Sequence, residues 1–332
     1  MTMMPSMGSE HVVVLPAFTF ESGQTLNAVK IGYATHGTLD AAGGNAVLLM
    51  PGTTNTRHGA DGYIGPGNAL DPTCDFIIAV DAIGAGTSSQ PSDGLGGDFP
   101  RYTIRDMVRL HAALLDRLGI TSLKAVIGAS MGAFQALEWL VQYPGTAGRA
   151  ILLVPAARAG VIFRSIVAAM VEIIALDPDW NDGRYVKQPL AGLRAAGRTY
   201  FPWTVTDRLL ETAPADTVEQ ALQARIRLTA DWDAWNVIRR YQGSASHDIA
   251  AAFDGDMERA LSRIDVPVLL LPSASDRLLA LDSAREIARH LRGAEYHEIP
   301  GEWGHLAWRA IPGSAETRFI ADKIQRFMKG GY

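Results

Sequence analysis

The segment Gly128-Ala129-Ser130-Met131-Gly132 constrains this chain more than any other. G-x-S-x-G places a serine at a sharp reversal from strand to helix, and the flanks have that character. Residues 123–127 form a short apolar run suited to a strand, and residues 134–143 read as a helix closed by Pro144-Gly145. Such a reversal strains the serine backbone and crowds its neighbours, so small residues must flank it. The serine then stands above the sheet, over a helix N-terminus that favours developing negative charge. A chance match in a chain with 33 glycines is the competing reading, and the strand and helix on either side weigh against it.

The rest of the chain falls into three zones. The first, to about residue 155, alternates β-rich runs (12–18, 28–35, 45–50, 76–81, 123–127, 150–154) with helical patterns over 103–118 and 134–143. Strands alternating with helices predict a mostly parallel sheet flanked by helices, with the active crevice at the carboxyl ends of the strands. The second zone has a different texture, with helical patterns at 161–176, 188–196, 218–228 and 232–241, dense aromatics and no apolar strand. The third returns to alternation, with strands at 266–271 and 294–299 and helices at 281–291 and 315–328. The expected organisation is an α/β core over 1–155 and 257–332, interrupted by a helical lid over 156–256.

A serine hydroxyl is a weak nucleophile and needs a base and an orienting acid. On a strand–G-x-S-x-G–helix scaffold the chain order is serine, acid, histidine. Asp276 lies in the loop after the strand at 266–271, whereas Asp265 precedes that strand and Asp282 sits at a helix start, where capping is the simpler role. A turn-residue role is the competing reading for Asp276. His305 lies in the glycine-flanked loop after the strand at 294–299; His297 falls inside that strand, and His58 and His247 remain candidate pocket residues. The oxyanion donors are expected to be the main-chain N–H groups of Met131, after the nucleophile, and Thr53, after the strand at 45–50.

Other chemistries find less support. Gly84-Ala85-Gly86 follows a strand and Asp81, but Ser89 stands where a third glycine would complete a dinucleotide fingerprint. P-loop and zincin motifs are missing, and one cysteine, Cys74, excludes an internal disulfide. A net charge of −5 without a basic run argues against nucleic acid. Residues 1–10 show no signal peptide, and 161–176, broken by Arg164, Ser165 and Glu172, is too polar for a membrane span. A cytoplasmic enzyme with no metal and no cofactor is expected.

Three further segments carry a resemblance. Gly65-Pro66-Gly67-Asn68-Ala69-Leu70-Asp71 is similar to G-P-G-x-A-[LF]-D, and residues 99–108 (FPRYTIRDMV) to F-P-x-x-T-I-R-D-M-V. Residues 130–139 (SMGAFQALEW) are similar to S-M-G-G-M-Q-A-L-E-W. The chain thus resembles α/β-hydrolase-fold proteins of the homoserine O-acetyltransferase-like group, which holds acyl-CoA-dependent acetyltransferases and related esterases. The resemblance implies a Ser130–His305–Asp276 triad, a helical lid, and a homodimer formed through that lid.

The group's acetyltransferases carry Gly-His-Asp at the base, where this chain has Gly304-His305-Leu306. An amino-acid acceptor needs charged partners, and leucine supplies none. The expected function is therefore hydrolysis of a small-molecule carboxylic ester through an acyl-enzyme, with acyl-CoA-dependent O-acyl transfer as the alternative.

Overall fold

A computed structural model describes residues 8–330. One eight-stranded sheet runs in the order β1-β2-β4-β3-β5-β6-β7-β8. β1 (Ser9–Thr19) and β2 (Thr25–His36) form an antiparallel ribbon, and β2 is antiparallel to β4 (Phe76–Val80). β3 (Ala46–Met50), β5 (Ala125–Ala129), β6 (Ala150–Leu153), β7 (Val268–Leu271) and β8 (Glu295–Tyr296) continue it in parallel. Every residue of β3, β5, β6 and β7 is buried, as a parallel sheet covered on both faces requires.

Alternate side chains divide between two cores. Leu48, Val126, Leu152 and Leu270 face the layer containing α1 (Ile104–Leu118) and α2 (Met131–Gln142). Val47, Ile127, Ile151 and Leu269 face the layer of α10 (Ala315–Lys329). α1 starts at a capping box between Thr103 and Asp106 and stops at Gly119, whose φ of 70° is left-handed. α9 (Leu281–His290) lies between β7 and β8. Between β6 and β7 the ordered elements are helical: α3 (Val161–Ala175), α4 (Leu190–Tyr200), α5 (Asp207–Thr212), α6 (Ala215–Ala230), α7 (Ala234–Ala245) and α8 (Met257–Leu261), with short 3-10 turns.

Some boundaries depart from the sequence reading. β5 lies two residues later than the apolar run, because Leu123 makes only an isolated bridge to Ala147. α2 starts at Met131, not at residue 134, since Ser130 alone makes the reversal. β8 shrinks to two residues at the sheet edge, although the extended chain continues to Ile299, which bridges Ser273. α5 and α8, with six and five residues, are too short to show helical periodicity. The Gly84–Gly86 turn wraps the Asp81 carboxylate, which a Cβ on Gly86 would strike. Among the described residues no helix is long and apolar enough to cross a membrane. The reading of residues 1–10 against a signal peptide falls mostly outside the described residues.

Candidate active site

Ser130 has φ 56° and ψ −121°, a left-handed backbone that costs energy for any residue but glycine. Its N–H donates to Leu153 O at 2.9 Å, and its carbonyl accepts from Phe134 N–H at 3.0 Å, so strand and helix both end on it. The two flanking glycines are there for space. A Cβ on Gly128 would overlap the backbone of Gly132, and one on Gly132 would overlap Met50 O.

The acid sits in the loop that follows β7, which ends at Leu271. Asp276 Oδ1 accepts from the N–H groups of Leu278 (2.8 Å) and Leu279 (3.0 Å). Its other oxygen, Oδ2, lies 2.7 Å from His305 Nδ1. One carboxylate thus both holds the turn and faces the histidine ring. Facing that oxygen, Nδ1 carries the proton, and the Nε2 lone pair is left for Ser130 Oγ, 2.8 Å away.

The loop that carries His305 is tied from two sides. Ser275 Oγ donates to Gly301 O at 2.8 Å, which joins it to the acid loop. Thr206 Oγ1 donates to Glu302 O at 2.9 Å, and Leu306 N–H to Thr204 O at 3.3 Å, which join it to the helical segment. Ser130 is 9% exposed and His305 4%, so both side chains are covered.

Thr53 and Met131, the two expected oxyanion donors, are buried. Among the described residues neither N–H has a protein acceptor. The loop after β3 is fixed by groups to which the sequence reading gave no part in the site. Gln135 Nε2 donates to Pro51 O (3.0 Å) and Met131 O (3.2 Å), which leaves its Oε1 to accept from His111 Nε2 at 2.9 Å. Burial drives His111 down to about 4, so its ring is neutral, with the proton on Nε2. At the other end of the loop, Asp81 accepts from Arg57 N–H at 2.8 Å and pairs with the Arg57 guanidinium. Gln135, one turn beyond the serine, was the detectable signal: a polar side chain on the buried face of an apolar helix needs a partner.

The remaining candidates lie elsewhere. His58 is half-exposed between Glu10 and Asp61. His247 is buried, bonded through Nε2 to Ala156 O at 2.8 Å and stacked on Phe134. Trp180, Tyr185 and Trp235 pack on one another as core. Among the described residues no group of three His, Cys, Asp or Glu side chains could hold a metal ion.

A largely parallel sheet that delivers a strained serine, an acid and a histidine, in that chain order, from the ends of its strands is the α/β-hydrolase arrangement. Residues 45–308 match the family described as alpha/beta hydrolase fold, and the chain belongs to that family. Within it, the chain belongs to the homoserine O-acetyltransferase-like group of acetyltransferases and related esterases. Homoserine O-acetyltransferase of Trichormus variabilis is 32% identical over 314 residues, covering 88% of this chain and 87% of its own. Among solved structures, the acetyl esterase MekB superposes with a TM-score of 0.91 at 25% identity, covering 97% of both chains. Homoserine O-acetyltransferase from Bacillus anthracis superposes with a TM-score of 0.88 at 27% identity, covering 98% of both.

Proposed function

We propose that this chain is an O-acyltransferase that passes an acyl group from an acyl-CoA to a hydroxyl acceptor through an acyl-enzyme on Ser130. The observation that carries the reading is the unbroken hydrogen-bond chain from Asp276 through His305 to Ser130. His305 Nε2 removes the hydroxyl proton as Ser130 Oγ attacks the carbonyl. Asp276 holds the ring in its tautomer and stabilises the imidazolium. The N–H groups of Thr53 and Met131 receive the oxyanion. His305 returns the proton to the departing thiolate, then activates the acceptor hydroxyl to release the ester. No metal or cofactor takes part in these steps.

Two observations put transfer ahead of hydrolysis, reversing the order drawn from Leu306. Curated relatives about 30% identical over most of the chain are named homoserine O-acetyltransferase. The serine and histidine are also buried, and a covered acyl-enzyme is protected from water. Hydrolysis of a small carboxylic ester is the second reading; the likeness to acetyl esterase MekB and the apolar Leu306 favour it. On either reading the segment 156–256 acts as a lid over a core of 1–155 and 257–332. The proposal also includes a cytoplasmic location and a homodimer through the lid, where Val161, Ile162 and Leu176 are exposed.

The test is thiol release from acetyl-CoA, with and without homoserine and other small alcohols, beside turnover of p-nitrophenyl acetate. Acceptor-dependent thiol release is expected. Ester turnover with acetyl-CoA consumption indifferent to every acceptor would put hydrolysis in its place. Full activity in Ser130→Ala would overturn both.

A further inference from the structure

Arg240, in α7, is fully buried, yet among the described residues no carboxylate is bonded to it. Its five N–H groups are instead spent on five main-chain carbonyls. Nε donates to Thr53 O (3.1 Å), Nη1 to Ala82 O (3.0 Å) and Ile83 O (2.8 Å), and Nη2 to Gly52 O (3.4 Å) and Asn55 O (3.2 Å). A buried cation is tolerable only when its hydrogen-bonding capacity is met, and here every donor is used. One turn further along α7, Ser244 Oγ lies 3.0 Å from Thr53 Oγ1.

These carbonyls have a consequence for the N–H groups. In a trans peptide unit C=O and N–H point in opposite directions. Gly52 C=O and Thr53 N–H belong to one unit, so a carbonyl turned toward Arg240 turns the Thr53 N–H away from it. The same holds for Thr53 C=O and the N–H of Thr54. A planar fork that draws the Gly52, Thr53 and Asn55 carbonyls to one side therefore sets the direction of the Thr53 N–H. α7 is itself fixed to the core. Asn236 Nδ2 donates to Ser92 Oγ (2.9 Å) and Gln90 Oε1 (3.1 Å), and Arg239 Nη2 to Gly97 O (2.7 Å).

We propose that Arg240, assisted by Ser244, is a positioning residue that aims the oxyanion donor of the loop after β3, so that α7 is a fixed part of the catalytic frame and the oxyanion hole is complete only with this helix docked. The inference rests on the acyl-enzyme reading. It adds that one helix of the inserted segment acts in transition-state stabilisation, separately from any covering role. Lysine cannot substitute, because a point charge with three tetrahedral donors cannot satisfy five carbonyls on two loops.

The test uses Arg240→Lys, Arg240→Met and Ser244→Ala, each checked for folding by circular dichroism and thermal melting, with p-nitrophenyl acetate as substrate. For the folded arginine variants kcat is expected to fall about 10²-fold, the usual cost of one misdirected oxyanion donor, with KM within a few-fold. The affinity of an alkyl trifluoromethyl ketone, whose serine adduct carries an oxyanion, is expected to fall in parallel. The pH midpoint of kcat/KM is expected to stay in place, since His305 and Asp276 are untouched. Ser244→Ala shortens one side chain and leaves the helix intact. It is expected to show the same pattern at several-fold, and it decides the matter where the arginine variants do not fold. Folded variants with wild-type kcat and ketone affinity, or with losses confined to KM, would overturn the proposal. Retained turnover in Ser130→Ala would instead overturn the acyl-enzyme reading beneath it.

Discussion

His305 Nε2 stands 2.8 Å from Ser130 Oγ, although 175 residues of chain separate them. The closeness is a product of sheet order: β5 delivers the serine, and β7 and β8 lie two and three places along, so their loops open at the same edge. Asp276 completes the line from the far side of the ring.

The acid loop makes Asp276→Asn a sharp test of ring orientation. Oδ1 of Asp276 is held by two main-chain N–H groups, so an asparagine would keep its carbonyl oxygen there. Its NH2 would then face His305 Nδ1 and force the proton onto Nε2, the wrong tautomer for a base. Turnover is expected to fall about 10³–10⁴-fold with little change in melting temperature. Steady-state kinetics beside a thermal melt checks this; a variant within ten-fold of wild type would contradict it.

Gly128→Ala is expected to destabilise the fold by at least about 2–3 kcal/mol, because its methyl would overlap the Gly132 backbone, which cannot move without displacing the helix start. Urea denaturation at neutral pH measures this. Ala129→Gly changes no such contact in the same turn and serves as the comparison.

The neutral, buried His111 makes the fold acid-sensitive. Its folded pKa of about 4 is below the ordinary value, so the unfolded chain takes up a proton that the folded chain refuses. Stability is therefore complete above about pH 6.5 and is lost as pH falls toward 4, by up to about 3 kcal/mol. His111→Gln, which keeps a donor for Gln135, is expected to flatten that part of the pH–stability curve. An unchanged slope in urea titrations between pH 6.5 and 4.5 would contradict it.

Glu138 has the opposite sign. Burial pushes its carboxyl up to about 7, partly offset by Arg105 and Gln142, so ionisation between about pH 4.5 and 7 opposes folding. Glu138→Gln is expected to be more stable than wild type at pH 8, by an amount that shrinks toward pH 5. Melting curves at the two pH values read the difference directly.

The strand–elbow–helix segment and the three loop positions were legible in the sequence because each depends on local pattern: an apolar run, small residues, then a reactive side chain. Ser130, Asp276 and His305 fall where those runs end. Apart from Gln135, what holds the site in place was not legible. Arg240 reaches Thr53 across 187 positions, and nothing local marks an arginine that will be wholly buried. Asp81 read as a weak nucleotide signal because its partner, Arg57, lies on another loop. The ladder of β8 is shorter than the run at 294–299, since an extended segment at a sheet edge keeps its shape with few ladder bonds. The order of transfer and hydrolysis leaned on Leu306 in the sequence, whereas the burial of Ser130 and His305 shows only in the folded chain.

The most direct test of the central claim is peptide mass analysis after rapid acid quench of the enzyme mixed with acetyl-CoA or p-nitrophenyl acetate. An acetyl group on the peptide containing Ser130, formed fast enough to precede product and missing from Ser130→Ala, is the expected result. Steady product formation with Ser130 never acylated, or acylation of a different residue at the rate of turnover, would contradict it.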